Sequence, residues 1–228
     1  MPVPFSLSKL SKRLSGRATE RWRERTSTRA EQKKLGKGED SGIFAAVKGI
    51  IFNLLEEVVT EHFGEDVWDD LLSQAQLEGI YTSLGNYPDA DLFKLVGAAS
   101  AALNQPPDAV VRWFGVKALP LLARKYPAFF DRHQSTRPFI LTLNDIIHPE
   151  VRKLYPGADT PEFDFDTSSP DVLVMNYRSK RKLCSLVEGF TEGTAEHFGE
   201  SVSIKHPLCM HRGDACCRLE FSFTGKNG

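Results

Sequence analysis

Apolar positions recur at helical spacing through the first two thirds of the chain and then switch to alternation. In VKGIIFNLLEEVVTEHFGEDV (47–67), Ile50, Ile51, Leu54, Leu55, Val58 and Val59 share one face. That spacing predicts an amphipathic helix, and Gly64 is placed to close it. DADLFKLVGAASAALN (89–104) predicts a second helix. PPDAVVRWFGVKALPLLARKYPAFF (106–130) predicts a third, interrupted at Gly115 and Pro120 and so bent or split. In LNDIIHPEVRKLYP (143–156), His148 directly precedes Pro149. A proline biases the residue before it away from the α region and itself suits the first turn of a helix. A short helix is therefore expected to start here, with Ile146, Ile147, Val151 and Leu154 as its stripe. His148 stands at its mouth, as a cap, a core histidine or a ligand with a fixed direction. Up to about residue 158 the ordered chain reads as helical.

The pattern then changes. DVLVMNY (171–177) alternates and is rich in β-branched residues, so it predicts a strand. RKLCSLVEGFTEGTAEHFGE (181–200) returns to helix and stops at Gly199. SVSIKH (201–206) and CCRLEFSF (216–223) read as strands. The echo of EHFGEDV (61–67) in EHFGESV (196–202) is the same end signal on two helices, with no repeat architecture. The expected class is α+β: a helical half followed by a mixed α/β half with an antiparallel sheet.

Composition adds a boundary. Residues 1–40 carry eleven Lys/Arg against five Asp/Glu, and the rest carries 18 against 25. Residues 1–46 hold too few apolar side chains to offset the entropy of ordering, which predicts a disordered basic tail. Such a tail suits a membrane surface or an acidic partner, but on composition an inert extension or a misplaced start codon is the preferred reading. Its acidic residues argue against a transit peptide, and it lacks the apolar core of a secretory signal. No apolar run is long enough to span a bilayer, so the expected location is cytoplasmic. With a net charge of −1, nothing points to nucleic acid. At 41 % hydrophobic residues, the remainder supports one sizeable core.

Two clusters carry chemistry. All four cysteines, Cys184, Cys209, Cys216 and Cys217, lie in the last fifth of the chain. His206 and Cys209 form an H-x2-C pair, Cys217 follows across a turn, and Cys184 comes from the preceding helix. Three thiolates and one imidazole make a closed tetrahedral zinc set. Cys216 points to the other face of its strand. His211 is an alternative ligand, and four reduced, buried cysteines without metal are the other reading. Coordinated thiolates also remain open to oxidation, which allows a redox switch. In NYRSKRK (176–182), Tyr177, Ser179 and Arg181 stand at i, i+2 and i+4. On an extended backbone they point the same way, a clamp for carboxylate or phosphate. The alternative is a solvated basic strand end. Clamp and His148 together suit one ligand with an apolar body, an acidic edge and a metal centre, which describes heme.

Here the chain resembles a known family, the heme nitric oxide/oxygen-binding (H-NOX) domains. The likeness is carried by KGIIFNLLEEVV (48–59), WFG (113–115), LNDIIHPEVRKLYPGA (143–158) and YRSKR (177–181), and covers about 47–224. It implies heme b between a distal helical subdomain and a proximal α/β subdomain. By resemblance, His148 is the proximal iron ligand and Tyr177, Ser179 and Arg181 bind the propionates. By the same resemblance, Pro161 occupies the position of the proline that presses on the porphyrin, and Gly115 matches the glycine at which the distal half pivots. Cys184, His206, Cys209 and Cys217 match a zinc site found in some bacterial members. Family domains usually begin at Met-Lys-Gly, where this chain has Val47, Lys48 and Gly49 behind its tail.

The resemblance also bears on which gas is bound. Members that hold oxygen stably place a tyrosine five residues past the motif arginine, where this chain has Leu186. Ile51 and Leu55 nearby are apolar too. Withholding one hydrogen bond of roughly 1–3 kcal/mol disfavours oxygen, while nitric oxide needs no donor. The expectation is a ferrous sensor, not an enzyme, that binds nitric oxide and carbon monoxide. Gas binding would weaken the bond to His148, free its helix, let the heme relax from Pro161 and rotate the halves about Gly115. With no output domain after Phe223, signalling in trans is expected, to a histidine kinase or a cyclic-di-GMP enzyme. Competing readings are a peroxidase-type heme enzyme, for which only Asp145 lies near the imidazole, and a zinc-stapled module for another apolar acid.

Overall fold

A computed structural model of the chain describes residues 46–225; the predicted basic tail, apart from Ala46, lies outside them. The first layers are helical. A two-stranded ribbon, β1 (Ala46–Lys48) with β2 (Asn86–Pro88), brackets α1 (Gly49–Phe63) and α2 (Glu65–Ala75). These are followed by α3 (Asp89–Leu103) and the long α4 (Pro107–Lys125). Gly64 ends α1 at φ 94°, a conformation that costs glycine little. Glu65 and Asp66 then open α2 where the helix dipole favours acidic groups. Val67, Trp68, Leu71, Leu72 and Ala75 of α2 bury against Phe52 and Val59 of α1 and Leu92 and Leu95 of α3.

The second half is the predicted mixed layer. After α5 (Pro127–Phe130), α6 (Thr136–Leu141), a π-helical turn (Leu143–Ile147) and α7 (His148–Leu154), four strands form one antiparallel sheet. They are β3 (Glu162–Asp166), β4 (Leu173–Arg178), β5 (Glu200–Leu208) and β6 (Cys217–Gly225), in the order β3-β4-β6-β5. Helix α8 (Cys184–His197) precedes β5. Leu173, Met175, Leu219 and Phe221 of β4 and β6 form a core with Phe130, Phe139 and Ile140. The chain is α+β, as the hydrophobic pattern indicates.

Helices α4 and α8 cross with their backbones nearly touching, and glycines make this possible. A Cβ on Gly115 would stand 2.9 Å from the Leu186 carbonyl oxygen. One on Gly189 would overlap the Arg112 carbonyl, and one on Gly193 would meet Leu119 Cβ at 2.9 Å.

Several expectations need correction. Helix α4 runs unbroken through Gly115 and Pro120 and breaks at Tyr126 (φ −132°, ψ 56°), just before Pro127. Gly115 is packed inside the helix crossing, which favours continuity over a bend there. His148 does not begin its helix from an extended residue. It sits in the α region (φ −65°, ψ −39°), and its N–H donates to Leu143 O across the π turn. Hydrogen bonding in that turn overrides the pre-proline bias. In the expected stripe, Ile146 and Leu154 are 40 % and 49 % exposed. Strand β3 and the β1–β2 ribbon were not predicted.

Candidate functional site

A large cavity of about 470 Å³ lies between the helical layer and the sheet. Its lining is almost wholly apolar. Ile51 and Leu55 from α1 line it, as do Trp113 and Phe114 from α4 and Leu186 from α8. Ile50, Ile51 and Leu55 are only partly buried because their face of α1 looks into this space. The size lies in the range of small-molecule sites.

His148 and Pro161 line the same cavity, together with Ile147, Val151 and Leu154. The His148 ring stacks on Phe163 of β3, with centroids 5.4 Å apart and planes 26° from parallel. Burial, with Arg152 adding to it, lowers the His148 pKa to about 4. The imidazole is therefore neutral near pH 7, the form that ligates a metal.

Tyr177, Ser179 and Arg181 also line the cavity, but by a route different from the one expected. Strand β4 ends at Arg178. Beyond it the chain turns, with Lys182 N–H donating to Ser179 O and Lys182 at φ 51°. The turn, not an extended strand, brings the three side chains to one rim. Tyr177 is 2 % exposed, its hydroxyl accepts the Leu183 N–H at 2.9 Å, and burial pushes its phenol pKa up. The Ser179 hydroxyl accepts the Arg181 N–H at 3.2 Å.

Arg181 is anchored on several sides. Its Nε donates to Asp89 Oδ2 at 2.9 Å and its Nη2 to Ala46 O at 2.8 Å. Nη1 donates to Asp159 O at 3.0 Å and Asp159 Oδ2 at 3.3 Å. A guanidinium has five N–H donors, so one on Nη2 is not used by these partners, and Arg181 lines the cavity. Lys48, 9 % exposed, also lines the cavity. Sequence reasoning missed Asp89, which looks like an ordinary acidic residue in a first helical turn, and Phe163, which lies on the unpredicted β3.

Gly115 does not line the cavity. It lies at the α4–α8 crossing, where its role is to let the helices approach.

The predicted metal set is assembled. The ligand atoms of Cys184, His206, Cys209 and Cys217 all lie within 4.8 Å of one another. Cys209 Sγ is 3.9 Å from both Cys184 Sγ and Cys217 Sγ. A tetrahedral zinc with bonds of about 2.3 Å would hold sulfurs about 3.8 Å apart. Cys184 is the first residue of α8. His206 sits in a register shift between Lys205 and Leu208 of β5, the kind of bulge that re-aims a side chain. Met210 N–H donates to Cys217 Sγ at 3.3 Å. Burial, then the neighbouring thiols, push the Cys184 pKa up. Burial likewise raises that of Cys217. Cys184 and Cys217 are poor anions alone in this setting, and a divalent cation would offset two of the charges of a three-thiolate set. Cys216 is outside the cluster, as expected. The alternative ligand His211 is also outside it: its Nε2 meets Lys182 O at 2.7 Å.

The two sites adjoin. In the sheet register Phe163 pairs with Tyr177, and Tyr177 with Cys217. His148, Phe163, Tyr177 and the thiols thus form a continuous row.

Residues 48–206 match the haem-NO-binding family model. The chain belongs to the H-NOX family. H-NOX domains are heme-based gas sensors, and the donor set here fits heme: a neutral imidazole, a large apolar cavity and a cationic, hydroxyl-bearing rim. An H-NOX protein from S. oneidensis, solved in its Fe(II)NO state, is 32 % identical with a TM-score of 0.74. The match covers 78 % of this chain and 100 % of that one. The unliganded Fe(II) H-NOX protein from K. algicida is 26 % identical, covering 80 % and 99 % of the two chains, at a TM-score of 0.71. The IWP-051-bound H-NOX from Shewanella woodyi, in the Fe(II)CO state, is 32 % identical over 79 % and 95 %, at 0.65. Among the described residues no helix is long and apolar enough to cross a membrane.

Proposed function

We propose that residues 47–224 form a cytoplasmic sensor of nitric oxide and carbon monoxide built on ferrous heme b. We propose further that it acts on a separate signalling protein, a histidine kinase or a cyclic-di-GMP enzyme. The observation that carries this reading is the apolar cavity that has His148 on its wall and Tyr177, Ser179 and Arg181 at its rim. Bound heme supplies a ferrous iron with an open position for a diatomic gas. His148 offers the neutral imidazole to that iron, and Phe163 holds its ring. Tyr177, Ser179 and Arg181 grip the propionates, with Asp89 and Asp159 fixing the direction of the guanidinium. Pro161 lines the same cavity as His148 and would press on a bound porphyrin.

Ile51, Leu55 and Leu186 offer no hydrogen bond to a bound gas. Thr191 and Thr194 line the cavity too, but their hydroxyls donate to Val187 O at 2.8 Å and Phe190 O at 2.7 Å of their own helix. These positions give bound oxygen no donor, while nitric oxide and carbon monoxide need none. The segment bearing His148 is lightly held, with a π turn before it and Ile146 and Leu154 exposed. That makes α7 the element free to shift when the demand on its imidazole changes. A partner responds only to the difference in its affinity for the two states.

The peroxidase reading is less favoured. Among the described residues the cavity has one histidine in its lining, His148, and Asp145 is exposed. Zinc at Cys184, His206, Cys209 and Cys217 completes the reading, and oxidation of its thiolates would add redox sensing.

Anaerobic absorption spectra test the sensor claim. The ferrous protein should show a five-coordinate, histidine-ligated Soret band that shifts with nitric oxide and with carbon monoxide. Air should give no lasting oxygen complex; a persistent one would overturn the discrimination argument. Cys209→Ser should abolish stoichiometric zinc, and unchanged zinc content would remove the metal site.

A further inference from the structure

The metal cluster has an outer partner that its four ligands do not explain. His206 Nδ1 lies 2.8 Å from Glu188 Oε1. The other ring nitrogen, Nε2, is buried and has no hydrogen-bond partner among the described residues. With Nδ1 engaged by Glu188, it is the ring nitrogen left to serve the His206–thiol group gathered within 4.8 Å. Glu188 itself is 9 % exposed, unusual for a carboxylate. Its second oxygen, Oε2, accepts from Arg112 Nη1 at 2.7 Å. Arg112 is in turn gripped by Glu192, through Nε at 2.9 Å and Nη2 at 2.5 Å. The acidic groups are spaced by one helical turn: Cys184, Glu188 and Glu192 share a face of α8.

We infer that Glu188 is the positioning residue of the metal centre, and that Arg112 of α4 holds it in that role. The inference rests on the zinc reading above. The chemistry follows from which nitrogen carries the proton. An imidazole that donates Nδ1–H to a carboxylate keeps its lone pair at Nε2, here the buried, unpartnered nitrogen of the cluster. The carboxylate fixes the ring's rotation and raises its strength as a ligand. A carboxylate this buried needs both oxygens satisfied, and Arg112 satisfies the second. The consequence is structural continuity. Arg112 lies where α4 passes Gly189 of α8, in the turn that leads into Trp113 and Phe114 of the cavity wall. Occupancy of the metal centre is thereby tied, through two side chains, to the helix that walls the gas cavity.

Zinc affinity of the heme-loaded protein, measured by competition with a chromogenic chelator, tests this. Glu188→Gln should weaken zinc about 10- to 100-fold. Arg112→Gln should weaken it less, and should add nothing in the Glu188→Gln background. Cobalt(II) provides a signature that a loss of fold would not mimic. At full occupancy, the ligand-field bands of Glu188→Gln should move toward those of His206→Ala. Glu188→Asp keeps the charge but withdraws it by one methylene, and should also weaken the metal. Tight zinc with unchanged affinity and cobalt bands in both Glu188 variants overturns the inference and leaves the zinc reading intact. Additive effects of Glu188→Gln and Arg112→Gln overturn the role of Arg112. Absence of stoichiometric zinc in the unmodified protein overturns the zinc reading itself, and the inference with it.

Discussion

Leu186→Tyr should convert the protein toward oxygen binding. Leu186 lines the cavity from α8, beside Ile51 and Leu55 of α1, and the threonine hydroxyls on that helix already donate to its own carbonyls. A phenol at this position would bring a donor into an apolar wall. A hydrogen bond to an oxygen molecule carrying partial negative charge is worth roughly 1–3 kcal/mol. At 1.4 kcal/mol per tenfold, that is about a five- to 150-fold gain in oxygen affinity. The larger ring also has to be housed, and overpacking typically costs about 1–3 kcal/mol. Leu186→Phe bears the same bulk without the hydroxyl and so separates the two effects. Stopped-flow oxygen association and dissociation on ferrous protein would give both affinities, and the gain should appear as slower dissociation. Carbon monoxide affinity should change alike in the two variants. If phenylalanine slows oxygen release as much as tyrosine, the hydrogen-bond argument fails.

Arg181→Gln should speed transfer of heme to an apoglobin acceptor by about tenfold or more, since a charged hydrogen bond of about 1.5–3 kcal/mol is lost; an unchanged rate would exclude the clamp. Gly189→Ala puts a Cβ 2.9 Å from the Arg112 carbonyl carbon, so α4 and α8 must part. Urea unfolding should register a loss of about 1–3 kcal/mol. Gly97 of α3 is the contrast: it is exposed, and a Cβ there would meet nothing within 4 Å. Gly97→Ala should stabilise by about 0.5–1 kcal/mol in the same assay.

Local spacing made α1, α3, α4, α7 and α8, the three long strands and the Cys/His cluster readable in sequence. Helical periodicity located α1, α3 and α4, and clustering of sulfur and imidazole named Cys184, His206, Cys209 and Cys217. What escaped depended on tertiary context. Strand β3, EFDFD, carries three acidic residues and gains its place only by pairing with β4. Tyr177, Ser179 and Arg181 were grouped from sequence and all line the cavity, but the turn after Arg178 brings them to one rim, which alternation does not reveal. Gly115 and Pro120 look like breakers in isolation; the first is required by close passage of α8, and the helix continues through the second. Glu188 has no signal of its own. Only the fold shows that it lies between an imidazole and a guanidinium.

His148 is the residue that would join the chain to heme iron. Absorption spectra of His148→Gly, purified in parallel with the unmodified protein, address it directly. The variant should lose its heme or its histidine-ligated ferrous Soret band, and added imidazole should restore that band. An unaltered spectrum with no response to imidazole would contradict the account.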